Sequence, residues 1–315
     1  MHSLVEMLRY MRPEGTSTQR EFCERFLEPV FGNPDKHGNY VTQVGFEPHL
    51  CFTAHHDTVH RTEGMQQVVV TNDVVSVADS KVSSCLGADC TTGIYIILCM
   101  IEAGIEGTYV IHAAEEVGCK GSAALVDDMP EWLCYTKAVI SFDRYGDKSV
   151  ITHQMGLRTA SDEFAKSFAD ALNLPQLKAD DGGSYTDSNE YSLLISECTN
   201  ISVGYYGQHG VNETQDLRYL DQLIFALETA DWSKLVFKRD PAVMETLYYD
   251  RPGSSIKSDA DVDAIMDLVI DYPQAIAEML KDYGWTPMTL MEECQIDDMS
   301  YYYNYMDNYA SRRYL

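Results

Sequence analysis

One stretch of the sequence constrains the fold more than any other, and it runs from Gly107 to Gly118 as GTYVIHAAEEVG. It begins as a short apolar run, which is typical of a buried strand in a parallel sheet. It ends in two adjacent carboxylates, Glu115 and Glu116, at the sheet edge where open α/β folds bind ligands. Neighbouring carboxylates in a partly dry site repel each other unless a cation neutralises them. An isolated Glu-Glu pair is more commonly a solvated turn, so other segments must decide between the two interpretations.

Composition indicates a globular protein and excludes several functional classes. The 315 residues are 45% hydrophobic, which suits a packed core, and no apolar run reaches the roughly 20 residues of a membrane helix. The formal net charge of −26 argues against a nucleic-acid partner, because phosphate binding needs basic patches. Residues 1–15 lack the apolar segment of a signal peptide, and nine cysteines without paired spacing fit a reducing compartment. We therefore expect a cytoplasmic protein with neither a membrane nor a nucleic-acid partner.

Strand and helix patterns alternate along residues 1–238. The strand candidates are residues 40–44, 49–54, 107–114, 137–142, 149–153 and 201–206, with a Val-rich hairpin at 62–84, and the helix candidates are residues 94–101, 121–125, 161–172 and 216–235. This alternation predicts an α/β fold, a mostly parallel mixed sheet covered by helices on both faces.

The pattern changes near residue 239. Prolines interrupt it, short helical patterns follow at residues 259–270 and 273–283, and tyrosines are frequent from residue 301 onwards. We therefore predict two domains, residues 1–238 and a small helical C-terminal extension at residues 239–315. The extension either packs on the larger domain or binds a partner.

Side chains that bind metals recur where the predicted strands end. They are His55, Asp57, Asp89, Glu115, Glu116, Asp143 and His209. Each alone has a commoner structural explanation, since an acid before a helix is usually a cap. At one edge of one sheet, however, they would bring together two imidazoles and several carboxylates. That ligand set suits Zn²⁺ or a similar divalent ion.

The segments around these residues resemble the motifs of the co-catalytic di-zinc exopeptidase superfamily. AHHDTV resembles its HxDTV motif, LGADCTTG its GADDxxG motif and AAEEVG its Glu-Glu motif, while SFD is similar to its third ligand strand and HGVNE to its final histidine segment. The five segments occur in the family's order and cover roughly residues 15–235. The superfamily includes zinc aminopeptidases, peptidase T-like tripeptidases, carboxypeptidases and deacylases.

The resemblance implies a role for each residue. It assigns His55 and Asp143 to one metal ion, Glu116 and His209 to a second, and Asp89 to a bridge between them. Asp57 would accept the His55 N–H and fix its tautomer. Glu115 would be the general base that takes a proton from the attacking water and returns it to the leaving amine. The two ions would be zinc, with cobalt or manganese as alternatives.

Further residues are candidates for contact with the substrate, and one, Cys90, is a candidate for packing beside the metal ions or for binding them. Residues 182–187 resemble the family's Gly-rich substrate loop, which makes Tyr185 and Asp187 candidates, with Asp187 facing a free amine. A turn capped by Asp187 is the alternative. Arg144 follows a predicted ligand and could line the pocket. Cys90 stands where relatives carry Asp, Asn or Met, and it is either a small filler or a third, softer ligand.

The resemblance implies a metal-dependent exopeptidase, an aminopeptidase or small-peptide hydrolase that acts on peptide or aminoacyl substrates. Only 34 positions separate His55 from Asp89 and only 66 separate Asp143 from His209, too few for the lid or dimerisation domains that relatives insert there. One alternative is an N-acyl amino acid deacylase or carboxypeptidase at the same site. Others are a zinc cyclase-type transferase and a catalytically silent scaffold that binds a partner through residues 239–315. The sequence leaves homo-oligomerisation open.

Overall fold

The structure, a computed structural model, describes residues 3–243 and residue 280. The strands are β1 (Tyr10–Met11), β2 (Tyr40–Val44), β3 (Leu50–His55), β4 (Gly64–Met65), β5 (Val68–Thr71), β6 (Val74–Val77), β7 (Gly107–His112), β8 (Ala138–Arg144), β9 (Ser149–Ile151), β10 (His153–Gln154), β11 (Leu157–Arg158), β12 (Lys178–Asp180), β13 (Glu197–Ser202), β14 (Tyr205–Tyr206) and β15 (Thr214–Asp216). The helices are α1 (Leu4–Met7), α2 (Ser17–Phe26), α3 (Glu28–Phe31), α4 (Ala88–Glu102), α5 (Lys120–Asp127), α6 (Asp162–Leu172), α7 (Asp187–Glu190) and α8 (Leu217–Glu228), with 3-10 turns at Glu131–Cys134 and Trp232–Lys234.

A seven-stranded sheet forms the centre, in the order β12-β9-β13-β8-β3-β7-β2. Four of its six strand pairs are parallel, and only β9 with β13 and β7 with β2 are antiparallel. The predicted mostly parallel mixed sheet is therefore confirmed. The predicted Val-rich hairpin is β5 and β6, which belong to a separate four-stranded antiparallel sheet, β14-β15-β6-β5.

The central strands send alternate side chains into two cores on opposite faces. In β7, Tyr109 and Ile111 belong to the larger core, whereas Val110 between them belongs to the smaller one. This follows from the two-residue period of a strand. Helices α4, α6 and α8 contribute apolar residues to the larger core, and Leu125 of α5 contributes to the smaller one. Helices thus cover both faces, as the sequence predicts.

Several predicted element boundaries were wrong: the helix expected to begin at residue 94, for example, begins at Ala88. The strand expected at residues 201–206 lies at Glu197–Ser202, and the helix expected to reach residue 235 ends at Glu228. The first half of β13 is polar, which hid it from a search for apolar runs. Its polar side chains are buried because they are hydrogen-bonded: Thr199 Oγ1, for example, donates to the Ile151 carbonyl at 2.6 Å.

The chain divides into two compact units, Met1–Asp250 and Arg251–Leu315. The helices predicted at residues 259–270 and 273–283 lie, apart from residue 280, outside the described residues. The helical extension at residues 239–315 therefore stays a prediction. None of the described helices combines the length and the apolar character needed to cross a bilayer.

Gly93 allows α4 to approach the central sheet closely, and this suggests a test of the packing. A Cβ at Gly93 would lie 2.1 Å from the Phe142 carbonyl oxygen, which belongs to the backbone of β8. Gly93→Ala should therefore lower the free energy of unfolding by about 1–3 kcal/mol, measured by urea denaturation. Gly210→Ala is the matched control, because its Cβ would meet nothing nearer than 3.7 Å. Equal stability of the two variants would contradict the close approach.

Candidate metal centre

Three strands of the central sheet end at one edge, and each delivers an imidazole or carboxylate there. His55 is the last residue of β3, Glu115 and Glu116 follow β7, and Asp143 lies near the end of β8. Asp89 lies in the first turn of α4, where its own backbone is not helical (φ −76°, ψ 106°). The candidate residues that are far apart in the sequence are therefore neighbours in the fold.

Asp89 lies between the two imidazoles. Its Oδ1 is 3.0 Å from His55 Nε2, and its Oδ2 is 3.2 Å from His209 Nε2. Asp143 Oδ1 lies 3.4 Å from the same His55 nitrogen, and Glu116 Oε1 lies 3.5 Å from the same His209 nitrogen. Asp89 is thus near both imidazoles, and His55, Asp89 and Glu116 form one group of side chains that could hold a metal ion. The assignment of each residue to one of two metal ions stays a prediction.

Two oxygens of this cluster fit a cation. Glu116 Oε1 and Asp143 Oδ1 are buried and accept no hydrogen bond from any described residue. Burial raises the pKa of Asp143 to about 6 and that of Glu116 to about 7, and the negative charge of Asp89 adds to both shifts. A divalent cation would satisfy these oxygens and remove the repulsion. Mixed carboxylate and imidazole ligation suits Zn²⁺.

Nearby carboxylates raise the pKa values of both imidazoles, although burial opposes the shift. The hydrogen bond to Asp89 and the negative charge of nearby Glu116 raise the pKa of His209 to about 11. Burial disfavours the charged form of Asp89, but its hydrogen bonds with His209 and His55 outweigh burial and lower its pKa. A metal-binding histidine must be neutral, so metal binding would displace these protons.

Asp57 holds both the first imidazole and the Glu-Glu turn. His55 Nδ1 lies 3.1 Å from the Asp57 carbonyl oxygen and 3.3 Å from the Asp57 carboxylate Oδ1, so the backbone and the side chain of this residue both orient the ring. The same carboxylate accepts the backbone N–H of Glu115 at 3.1 Å and that of Glu116 at 3.0 Å. The second contact was not predicted. It fixes the backbone that carries the two acids.

Glu115 lies beside the cluster rather than inside it. Its Oε2 is 3.9 Å from His55 Nε2, and its Oε1 receives the Cys119 S–H at 3.7 Å. Burial raises its pKa well above that of an ordinary carboxyl, and the charges of Asp143 and Asp187 add to the effect, although His55 opposes it. A carboxylate with a raised pKa suits proton transfer near neutral pH.

Asp187, the predicted amine-binding residue, is buried in the same region. Its Oδ1 accepts the Ser122 hydroxyl at 2.6 Å. Burial raises the pKa of Asp187 well above its ordinary value, and the charges of Asp143 and Asp57 contribute to the shift. Asp187 is therefore a buried acid of this region in addition to the predicted ligands, base and orienting residue.

Tyr185 and Arg144, the other predicted substrate residues, make contacts within the protein. Tyr185 is 48% exposed and its hydroxyl donates to Glu190 Oε1 at 2.6 Å. The Arg144 guanidinium donates to the Gly182 carbonyl at 2.9 Å and lies 4.2 Å from the Tyr145 ring centroid. Arg144 thus contacts the loop predicted to bind substrate, and a direct substrate contact stays a prediction for both residues.

Cys90 is close to the predicted ligands. Its Sγ belongs to a group with His55 and Asp143 that could hold a metal ion. The thiol donates to the Phe142 carbonyl at 3.2 Å, and burial raises its pKa well above the ordinary value. Because the thiolate is the form that binds metals, these contacts favour the small-filler interpretation.

Sequence reasoning missed three residues that support the ligands. Thr186 donates its hydroxyl to Asp143 Oδ2 at 2.9 Å, and Asn200 Oδ1 accepts the Asp143 N–H at 2.9 Å. Glu213 accepts backbone N–H groups from the segment that carries Asp89. Thr186 directly precedes the candidate Asp187, and Glu213 is the last residue of the HGVNE segment. For these two residues, a position beside a candidate residue was the only signal in the sequence.

No protein-family model and no curated protein sequence matches the chain. Its structure is nevertheless similar to known ones. A tripeptidase from Staphylococcus aureus has 13% identity and a TM-score of 0.57, with 74% of this chain and 97% of that chain covered. The aminopeptidase PepT from Bacillus cereus has 12% identity and a TM-score of 0.54, with 72% of this chain and 96% of that chain covered. The TET1 peptidase of Pyrococcus horikoshii has 16% identity and a TM-score of 0.51, with 72% of this chain and 98% of that chain covered. At these identities the likeness shows the fold, an aminopeptidase-like α/β fold.

Zinc should stabilise the metal-free protein if it binds the candidate ligands, because these side chains come together only in the folded state. At a free concentration of 100 times Kd the gain would be about 2.7 kcal/mol, seen as a rise in Tm. Asp89→Ala removes the shared carboxylate and should abolish the rise. Asp128→Ala, which removes an exposed acid 2.9 Å from Lys36, should keep it. Elemental analysis that finds two metal ions per chain in Asp89→Ala would contradict the shared role.

Proposed function

We propose that the protein is a metal-dependent exopeptidase, an aminopeptidase or small-peptide hydrolase. The observation that carries the proposal is the position of Asp89, with one carboxylate oxygen on each of two imidazoles, His55 and His209. Glu115 lies beside this cluster and has a raised pKa. The similarity in fold to an aminopeptidase and a tripeptidase supports peptide substrates.

The cluster offers ligands for two divalent ions. His55 and Asp143 would hold one, Glu116 and His209 the other, with Asp89 shared between them. Bound there, zinc, or alternatively cobalt or manganese, supplies an acidified water and a polarised substrate carbonyl. The unpartnered oxygens of Glu116 and Asp143 support this assignment.

Glu115 carries the proton in the proposed reaction. Its carboxylate accepts a proton from the attacking water as the water oxygen bonds to the scissile carbonyl carbon. It then returns that proton to the amide nitrogen as the C–N bond breaks, so the products are an amine and a carboxylic acid, which loses its remaining proton to solvent. Asp57 positions this base, because it accepts the N–H groups of Glu115 and Glu116 and fixes their backbone.

Glu115→Gln tests the proton-transfer role. The amide keeps the size of the side chain but cannot accept the proton, so kcat should fall by about 10²–10⁴-fold. Bound metal, measured by elemental analysis, should be unchanged, because Glu115 is not a proposed ligand. Glu102→Gln, at an exposed position near the end of α4, should leave kcat unchanged. Retained turnover in metal-loaded Glu115→Gln protein would refute the role.

Asp187 would distinguish an aminopeptidase from a deacylase. We propose that its buried carboxylate accepts the free amine of the substrate, since Asp187 lies near the base Glu115 and is not itself a proposed ligand, base or orienting residue. A hydrogen bond between charged groups contributes about 1.5–3 kcal/mol, so Asp187→Asn should raise KM for aminoacyl amides by about 10- to 150-fold.

A substrate panel provides the control for Asp187→Asn. Hydrolysis of N-acylated amino acids, which have no free amine, should not respond to the substitution. Aminoacyl amides, dipeptides and tripeptides should be cleaved by the wild-type protein after loading with zinc, cobalt or manganese. Cleavage confined to the acylated compounds would reject the aminopeptidase proposal in favour of the deacylase.

For the oligomeric state and the cellular location we make only general proposals. The TET1 peptidase of Pyrococcus horikoshii assembles into a tetrahedron or a large octahedral shell. We propose only that this chain also forms a homo-oligomer, in the cytoplasm. The alternative of a silent scaffold concerns residues 239–315, nearly all of which lie outside the described residues.

A further inference from the structure

Glu213 is a buried carboxylate that takes no part in the proposed reaction. It is only 1% exposed. Its Oε2 accepts the N–H groups of Leu86 at 2.8 Å and Gly87 at 2.9 Å, and its Oε1 accepts the N–H of Asp89 at 3.2 Å. These partners lie 124 to 127 positions away along the chain. One side chain therefore holds three backbone groups of the segment that presents the shared ligand.

This segment needs an external acceptor. The first N–H groups of a helix have no partner within the helix and are usually satisfied by the side chain of the N-cap residue. The N-cap of α4 is Gly87, which has no side chain, and it adopts a left-handed conformation (φ 72°, ψ 30°). Asp89 itself is not helical. Glu213 thus replaces the missing cap and fixes the backbone from which the Asp89 side chain projects.

Glu213 is also coupled to the second imidazole. It lies four positions after His209, and its own N–H donates to the Gly210 carbonyl at 3.0 Å, which closes a tight turn. The His209 side chain is 50% exposed, so packing restrains it little. Its ring meets Asp89 Oδ2 at 3.2 Å. His209 and Asp89 are therefore linked in two ways. Their side chains contact each other directly, and Glu213 connects the turn that follows His209 to the backbone of Asp89.

We propose that Glu213 is a positioning residue that sets the distance between the shared ligand Asp89 and the ligand His209, and so determines the affinity of the metal that they hold together. The inference rests on the proposed function, since it assumes that these residues bind metal. Outer partners that orient metal ligands typically change metal affinity by 10- to 100-fold when they are removed. Glu213 differs from such partners in acting on the backbone of one ligand and the turn of the other.

Glu197 offers a matched control at a different position in the sheet. It is also a buried carboxylate that accepts three backbone N–H groups, from Ser161 at 2.6 Å, Lys238 at 2.7 Å and Arg239 at 3.0 Å. It begins β13, whereas the candidate ligands of the central sheet lie at or after the carboxyl ends of β3, β7 and β8. The two glutamates thus share their chemistry and burial but not their neighbours.

The experiment compares Glu213→Gln with Glu197→Gln in the full-length protein. A glutamine has one acceptor oxygen, and its NH₂ group would face a backbone N–H, so both variants should have a lower Tm without metal. Zinc affinity, measured by competition with a chelator, should fall by about 10- to 100-fold in Glu213→Gln and stay unchanged in Glu197→Gln. Equal affinities in Glu213→Gln and the wild type, or an equal loss in both variants, would overturn the inference. A wild-type protein that binds no zinc would instead refute the proposed function.

A second substitution covers a failure to fold. Glu213→Asp keeps the carboxylate but shortens the side chain by one methylene, and its zinc affinity should lie between those of Glu213→Gln and the wild type. If Glu213→Gln is not recovered in a folded form, the zinc affinity of Glu213→Asp is compared with those of the wild type and Glu197→Gln. A loss of affinity in Glu213→Asp alone would support the inference, and no loss would overturn it. If neither Glu213 variant folds while Glu197→Gln does, the residue serves the stability of the fold and the inference is overturned.

Discussion

The grouping of carboxylates around two imidazoles at one edge of the sheet is the constraint on which the rest of the site depends. Asp89 contacts both His55 and His209, while Asp143 and Glu116 each lie beside one of them. Burial and the charge of Asp89 raise the pKa values of Asp143 and Glu116, and the neighbouring imidazoles only partly offset this effect. A metal ion is the simplest physical explanation for keeping these acids together.

The fold resists this repulsion with hydrogen bonds from the backbone and from neighbouring side chains. Asp57 holds the turn that carries Glu115, Thr186 donates to Asp143, and Glu213 holds the first residues of α4. The parallel strands supply the common edge, and Gly93 allows α4, which carries Asp89, to lie close to β8. Residues outside the ligand set thus determine the positions of the ligands.

The sequence predicted the sheet and the members of the cluster because both depend on local patterns. The apolar run before Glu115 marks β7, and the five family-like segments are short and contiguous. The first half of β13 was missed because it is polar and is buried by hydrogen bonds, which no periodicity reveals. The support given by Thr186 and Glu213 was missed for a related reason: each contact joins segments far apart in the sequence. The direct substrate contacts of Arg144 and Tyr185 stay predictions.

The central claim is that Asp89 is shared by two metal ions. Anomalous diffraction from crystals of the zinc-loaded protein, measured at wavelengths on both sides of the zinc absorption edge, would test it most directly. We expect two zinc peaks on opposite sides of the Asp89 carboxylate. One should contact His55 and Asp143, and the other should contact Glu116 and His209. A single peak, a peak bound to Cys90 in place of Asp89, or zinc located away from these residues would contradict the account.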